Sequence, residues 1–234
     1  MFLRALAIVV GLAYYGVPLL FATPDPLRSI RVLQWKQPDG ALHPACTTWA
    51  TRVEALQAWV TAAHCVPPGP TEYAIDGRRA TVFQWNGDLD LAALRGGPAT
   101  SPLQIAYGPA TALQPIMTIG FPFGHRDPHM TAGISSGQDG EGWALFGVAV
   151  GNGMSGAPVL DARSYLVVGM IQRAECEPPG WCPFSNGVTA QTLRRFLFED
   201  PGVRAPSTHV PPVPVDLIIE DPSMAALRAR ETGE

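Results

Sequence analysis

Between residues 31 and 171 the apolar positions come in short runs separated by polar, glycine-rich gaps. The runs are "RVLQW" (31–35), "AWVTAA" (58–63), "RRATVFQW" (78–85) and "DLAALR" (90–95), then "PIMTIG" (115–120), "WALFGVAV" (143–150), "APVLD" (157–161) and "YLVVGMI" (165–171). Turn clusters such as "PPGP", "GGPATSP" and "GQDGEG" interrupt them. Runs of this length, bounded this way, predict strands, and their repetition predicts an all-β sandwich or barrel. Two places read differently. Residues 52–58, "RVEALQA", fit either a helical turn or a hairpin. In "TAQTLRRFLF" (189–198), Leu193, Phe196 and Leu197 fall on one face, which predicts a short closing helix.

Composition supports this picture. Glycine and proline number 24 each in 234 residues, beside 47% hydrophobic residues, which favours short strands joined by turns over long helices. A net charge of −4 without a basic cluster argues against nucleic acid as a partner. The first 22 residues, "MFLRALAIVVGLAYYGVPLLFA", carry Arg4 and then an apolar run. That pattern predicts a secretory signal cleaved after Ala22, with an uncleaved signal anchor as the alternative. Only the anchor would make a membrane a partner. Residues 23–30 read as an exposed linker, 31–199 as the folded domain, and 200–234 as a proline-rich mobile tail.

Four cysteines, at 46, 65, 176 and 182, permit three pairings, and export permits disulfides; four buried thiols are the alternative. No CxxC or His/Cys metal spacing occurs, so neither metal nor cofactor is expected. The decapeptide "GNGMSGAPVL" (151–160) raises a sharper question, whether Ser155 is a nucleophile. A serine nucleophile needs a base in contact and a third group to orient that base. Of the five histidines, His64 stands apart, because "WVTAAHCV" puts it at the end of an apolar strand. His43, His125, His129 and His209 fall in loop-like or tail contexts. "NGDLDLAALR" offers two acids: Asp90, immediately before an apolar strand, is favoured over Asp88 in the turn. Gly153 allows close backbone approach and, with Ser155, could supply two N–H groups to an oxyanion. The G-x-S-x-G elbow fails because residue 157 is alanine. A Ser–Lys pair would have to use Lys36, the sole lysine, far from any matching motif.

"TAAHC" (61–65), "DLAAL" (90–94) and "GMSGAP" (153–158), in this order, resemble the trypsin/chymotrypsin-like serine peptidases. "TIGFPFG" (118–124) with "TAGISSG" (131–137) is similar to second-barrel strands of compact bacterial members, and "NGVTAQTLRRFL" to the approach to their final helix. The resemblance implies two perpendicular six-stranded β-barrels with a short C-terminal helix. It implies a catalytic triad of His64, Asp90 and Ser155, with protein or peptide substrates. It implies an oxyanion hole from Gly153 and Ser155, and a Cys46–Cys65 disulfide at the histidine loop. Cys176 and Cys182 would form a second bridge at the pocket rim.

"YLVVGMIQ" resembles the strand that pairs with substrate, so Met170, Ile171 and Gln172 are expected to bind it, with Ala149 at the pocket base and Gly187 in its wall. No carboxylate falls at the pocket base, which points to cleavage after apolar or small residues. Met154 departs from the aspartate of zymogen-activated members, and no "IVGG" start occurs, so that activation switch is not expected. The rival reading is a catalytically silent trypsin-like fold that binds proteins.

Overall fold

The computed structural model describes residues 25–36, 40–67, 72–138, 142–174 and 181–199. The first lobe contains β1 (Ile30–Lys36), β2 (Leu42–Val53), β3 (Leu56–Thr61), β4 (Tyr73–Ile75), β5 (Arg78–Asn86) and β6 (Leu91–Arg95). The second contains β7 (Pro115–Gly120), β8 (His129–Gln138), β9 (Trp143–Gly147), β11 (Pro158–Asp161), β12 (Val167–Ala174) and β14 (Ser185–Thr189). Two short strands, β10 (Val150–Gly151) and β13 (Trp181–Cys182), pair beside the second lobe. Each set of six closes into an antiparallel barrel, in the order β1-β2-β3-β6-β5-β4 and β11-β12-β14-β9-β8-β7. The chain ends its described course in α1 (Ala190–Arg194), continued by a π-helical turn through Glu199. This is the all-β, two-barrel architecture with one short closing helix.

The apolar runs became strands because each can bury one face inside a barrel. Residues 52–58 form a hairpin, with Glu54 at φ 55° in the tight turn between β2 and β3. The closing helix begins where Thr189 caps it, its hydroxyl accepting from the Thr192 N–H at 3.2 Å. Leu193, Phe196 and Leu197 are buried against a core cluster that runs through both lobes. Gln84 on β5 donates to the Phe196 carbonyl, so the helix returns from the second lobe to the first.

The expected linker is partly structured. Asp25 caps a 3-10 turn at Pro26–Arg28, and Ser29 and Ile30 are buried. Ser29 donates to the Ser101 carbonyl, and the Ala50 N–H donates to the Ser29 carbonyl at 2.8 Å. The predicted leader 1–22 and tail 200–234 lie outside the described residues. Among the described residues no helix is long and apolar enough to cross a membrane.

The connection between the lobes is stitched to both. The Leu103 N–H donates to Ala50, and the Thr51 hydroxyl to the Leu103 carbonyl, both at 2.8 Å. The next residue already belongs to the second lobe: the Val167 N–H donates to the Gln104 carbonyl, and the Ala106 N–H to the Val167 carbonyl, again at 2.8 Å.

Candidate active site

β3 ends at Thr61, and His64 follows three residues later in a 3-10 turn, Ala63–Cys65, rather than at the strand end that the sequence pattern suggested. The turn is anchored by the Cys46–Cys65 disulfide to β2, which makes this pairing a feature of the structure. Asp90 closes the turn between β5 and β6. Asn86 Oδ1 accepts from the Leu89 N–H at 2.9 Å, and the Asp90 N–H donates to Gly87 at 3.2 Å. This winding leaves Asp90 in the left-handed region at φ 49°, which a short polar side chain tolerates. Asp88, in the same turn, is exposed, whereas Asp90 is 5% exposed.

The Asp90 carboxylate meets His64 twice. Its Oδ2 lies 2.8 Å from His64 Nδ1, and its Oδ1 accepts from the His64 backbone N–H at 2.9 Å. Ring and backbone are thus held by one carboxylate, which favours the tautomer with the proton on Nδ1 and leaves Nε2 free to accept. The histidine side chain is 47% exposed while the Asp90 side chain is 8% exposed. An exposed imidazole on a buried anion is the arrangement expected of a base that must take up charge.

Ser155 is half-buried in the turn between β10 and β11, and its hydroxyl donates to the Gln172 carbonyl at 3.4 Å. Gly153 (φ 91°) and Gly156 (φ 84°) flank it in left-handed conformations. Neither could carry a side chain. A Cβ on Gly153 would sit 2.6 Å from the Phe121 carbonyl, and one on Gly156 would sit 2.3 Å from that of Thr47. Met154 is fully buried in the second-barrel core, so no charge stands at that position.

The residues expected to line the substrate site fall in varied places. Met170 is fully buried, pairing with Pro158 and Val188. Ile171 spends its main chain on the serine loop, accepting from the Gly156 N–H at 2.8 Å and donating to Ala157 at 2.9 Å. Gln172 is 1% exposed, and its Nε2 donates to the carbonyls of Leu89 and Asp90 in the first lobe at 2.6 and 2.7 Å. Gly187 is required by close sheet packing, since a Cβ there would lie 1.9 Å from the Met170 carbonyl. Ala149 is half-buried, and its carbonyl accepts from the Thr131 hydroxyl at 2.7 Å. Cys182 is buried and disulfide-bonded; Cys176 lies outside the described residues. Among the described residues, ligand-bearing groups cluster only at Cys46, His64 and Cys65. The two sulfurs are joined to each other, so they offer no thiolates to a metal.

A family model for the trypsin-like peptidase domain matches residues 46–170, more than half of the chain. The chain belongs to the trypsin-like peptidase family. Among solved structures it is similar to the Rv3671c protease from M. tuberculosis in its active form (TM-score 0.61, 20% identity, covering 85% of this chain and 90% of that one). It is also similar to the HtrA-type protease AlgW with a decapeptide (TM-score 0.58, 16% identity, 73% of this chain). The chain spans 63% of the length of that AlgW chain. At these identities the likeness is one of fold. No curated protein sequence matches the chain.

Two features of this trypsin-like domain escaped the sequence pattern. Thr47 on β2 is tied to Gly153 in the second lobe, and Gln172 on β12 to the Asp90 turn in the first. Their partners lie 106 and 82 residues away in the chain, and polar residues beside apolar ones carry no local signal for that.

Proposed function

We propose that the protein is a serine endopeptidase in which His64, Asp90 and Ser155 act as a triad. The observation that carries this reading is the doubly bonded Asp90–His64 pair, with its exposed imidazole and buried acid. In the proposed cycle His64 Nε2 takes the Ser155 proton as Oγ attacks the scissile carbonyl. The N–H groups of Gly153 and Ser155 hold the resulting oxyanion. His64, now charged and stabilised by Asp90, returns the proton to the leaving amine, and water repeats the sequence on the acyl-enzyme. The Gln172 carbonyl, near the Ser155 hydroxyl, is positioned to accept from the N–H of an extended peptide. The decapeptide bound by the structurally similar AlgW fits a peptide as ligand for this fold.

The same reading includes a preference for apolar or small residues before the cleaved bond, since Ala149 brings no charge to the pocket base. It also includes export, because disulfides at Cys46–Cys65 and at Cys182 suit an oxidising compartment.

The test is covalent labelling of the purified protein with an active-site serine phosphonate. Wild type should gain the adduct mass on Ser155, and Ser155→Ala should not, with peptide hydrolysis falling by about 10⁶-fold. Absence of Ser155-dependent labelling would leave a protein-binding trypsin-like fold in its place. Profiling on a peptide library should give dominant cleavage after apolar or small residues; dominance of Arg, Lys or Glu would overturn the specificity.

A further inference from the structure

Thr47 makes more contacts across the lobe boundary than packing of a strand requires. It is fully buried on β2, next to Cys46. Its N–H donates to the Ser155 carbonyl at 3.0 Å, and its carbonyl accepts from the Thr61 hydroxyl at 2.8 Å. Its own hydroxyl works in two directions. It donates to the Gly153 carbonyl at 2.9 Å and accepts from the Phe121 N–H at 3.0 Å. Two residues further on, the Phe123 N–H donates to the Asn152 carbonyl at 2.5 Å. Gly120 leaves the room this needs, since a Cβ there would lie 2.9 Å from the Thr47 hydroxyl.

These bonds close a ring around Gly153. The Asn152 carbonyl belongs to the same peptide as the Gly153 N–H, and the Gly153 carbonyl belongs to the peptide that follows. A trans peptide points its N–H opposite to its carbonyl, so a fixed Asn152 carbonyl fixes the Gly153 N–H. Glycine at φ 91° has no side chain to limit its rotation, and Met154 contributes no charge to hold the loop. Within the loop the Met154 N–H donates to the Gly151 carbonyl at 3.1 Å, whereas the Asn152 carbonyl is held from outside by Phe123, and the Thr47 hydroxyl joins the Gly153 carbonyl to the segment that carries Phe123.

We propose that Thr47 is a positioning residue that aims the Gly153 N–H at the oxyanion through its bonds to Gly153 and Phe121. The proposal rests on the peptidase reading above. Without the hydroxyl, the Gly153 carbonyl and the Phe121 N–H both lose a buried partner. Rotation of the peptides flanking Gly153 recovers one and carries the N–H off target. Substrate binding depends on other groups, so the loss falls on turnover.

The experiment compares kcat, KM and the phosphonate labelling rate of the full chain for wild type, Thr47→Val, Thr47→Ser and Thr48→Val. Thr48 is the control, because its equally buried hydroxyl donates to Val60 at 2.9 Å within the first barrel. Thr47→Val should lower kcat and the labelling rate by about 10- to 100-fold, short of the loss when an oxyanion donor is deleted outright. KM should stay within about threefold, Thr47→Ser should restore most of the activity, and Thr48→Val should keep kcat. If Thr47→Val does not fold, Thr47→Ala replaces it with the same expectations. A kcat within about threefold of wild type, a loss shared by Thr48→Val, or no rescue by serine overturns the proposal. Failure of wild type to label at Ser155 instead removes the peptidase reading on which it rests.

Discussion

Asp90 carries two demands on one side chain, and its backbone conformation meets both. At φ 49° the turn brings the carboxylate back under His64, so that one oxygen takes the backbone N–H and the other faces Nδ1. Asp90→Asn keeps the size but presents an amide, which favours the tautomer with the proton on Nε2 and removes the counter-charge. It should lower kcat by about 10³- to 10⁴-fold at neutral pH, read by steady-state hydrolysis, with little change in thermal stability. Asp88→Asn should leave kcat within about twofold in the same assay; equal loss in both would undo the assignment of the acid. At this scale the sequence pattern was informative about burial: an acid directly before "LAAL" had to enter the core, and one in "NGD" did not. It was silent about the left-handed turn. The inter-lobe bonds of Thr47 and Gln172 stayed invisible, although Gln172 was expected to bind substrate, because a threonine within "CTTWAT" and a glutamine within "GMIQRA" declare no distant partner.

Among the elements, the strands easiest to foresee were those with four or five consecutive apolar residues, such as β6 and β12. The first two thirds of β2, "LHPACTTW", read as polar, yet Cys46 to Thr51 are all buried. Thr48 bonds within its own barrel while Thr47 bonds across to the other lobe, so both faces are covered. β8, with most of its residues at least partly exposed, offered a weak apolar signal for the opposite reason. The Cys46–Cys65 bridge spans 19 residues and pins the histidine turn to β2. A Cys46→Ser/Cys65→Ser double variant should lose about 3 kcal/mol in urea unfolding, and activity should fall more steeply with temperature than in wild type. The β11–β12 turn has its own acid-sensitive anchor. Burial alone would raise the Asp161 pKa, but bonds from the Ser164 N–H, Gln114, the Ser164 hydroxyl and the Arg163 N–H hold it down at about 2. A pKa below the unfolded value of 3.8 stabilises the fold above about pH 4, and that contribution fades as pH falls toward 2. The Tm of wild type should therefore drop across this window more than that of Asp161→Asn.

For the whole molecule, the two lobes are joined at the places where the proposed chemistry happens. Gln172, on a second-lobe strand, holds the carbonyls of Leu89 and Asp90 in the first lobe, and its own carbonyl takes the Ser155 hydroxyl. Gln172→Leu leaves two carbonyls without this partner. It should cost about 1–3 kcal/mol in denaturant titrations and lower kcat together with stability; full stability in the variant would rule out the bridging role. The spacing of the runs made an all-β sandwich or barrel legible, and the family resemblance carried by "TAAHC", "DLAAL" and "GMSGAP" implied the two-barrel plan, whereas the inter-lobe bonds depend on three-dimensional register. The connecting segment adds a mechanical consequence. Leu103 is bonded to the first lobe and Gln104 to the second, with no free residue between them. Two bodies joined this way have a seam where a hinge would need slack, so they cannot part at this segment without breaking main-chain bonds on one side or the other. The Leu103 and Val167 amides should therefore exchange with solvent as one cooperative unit.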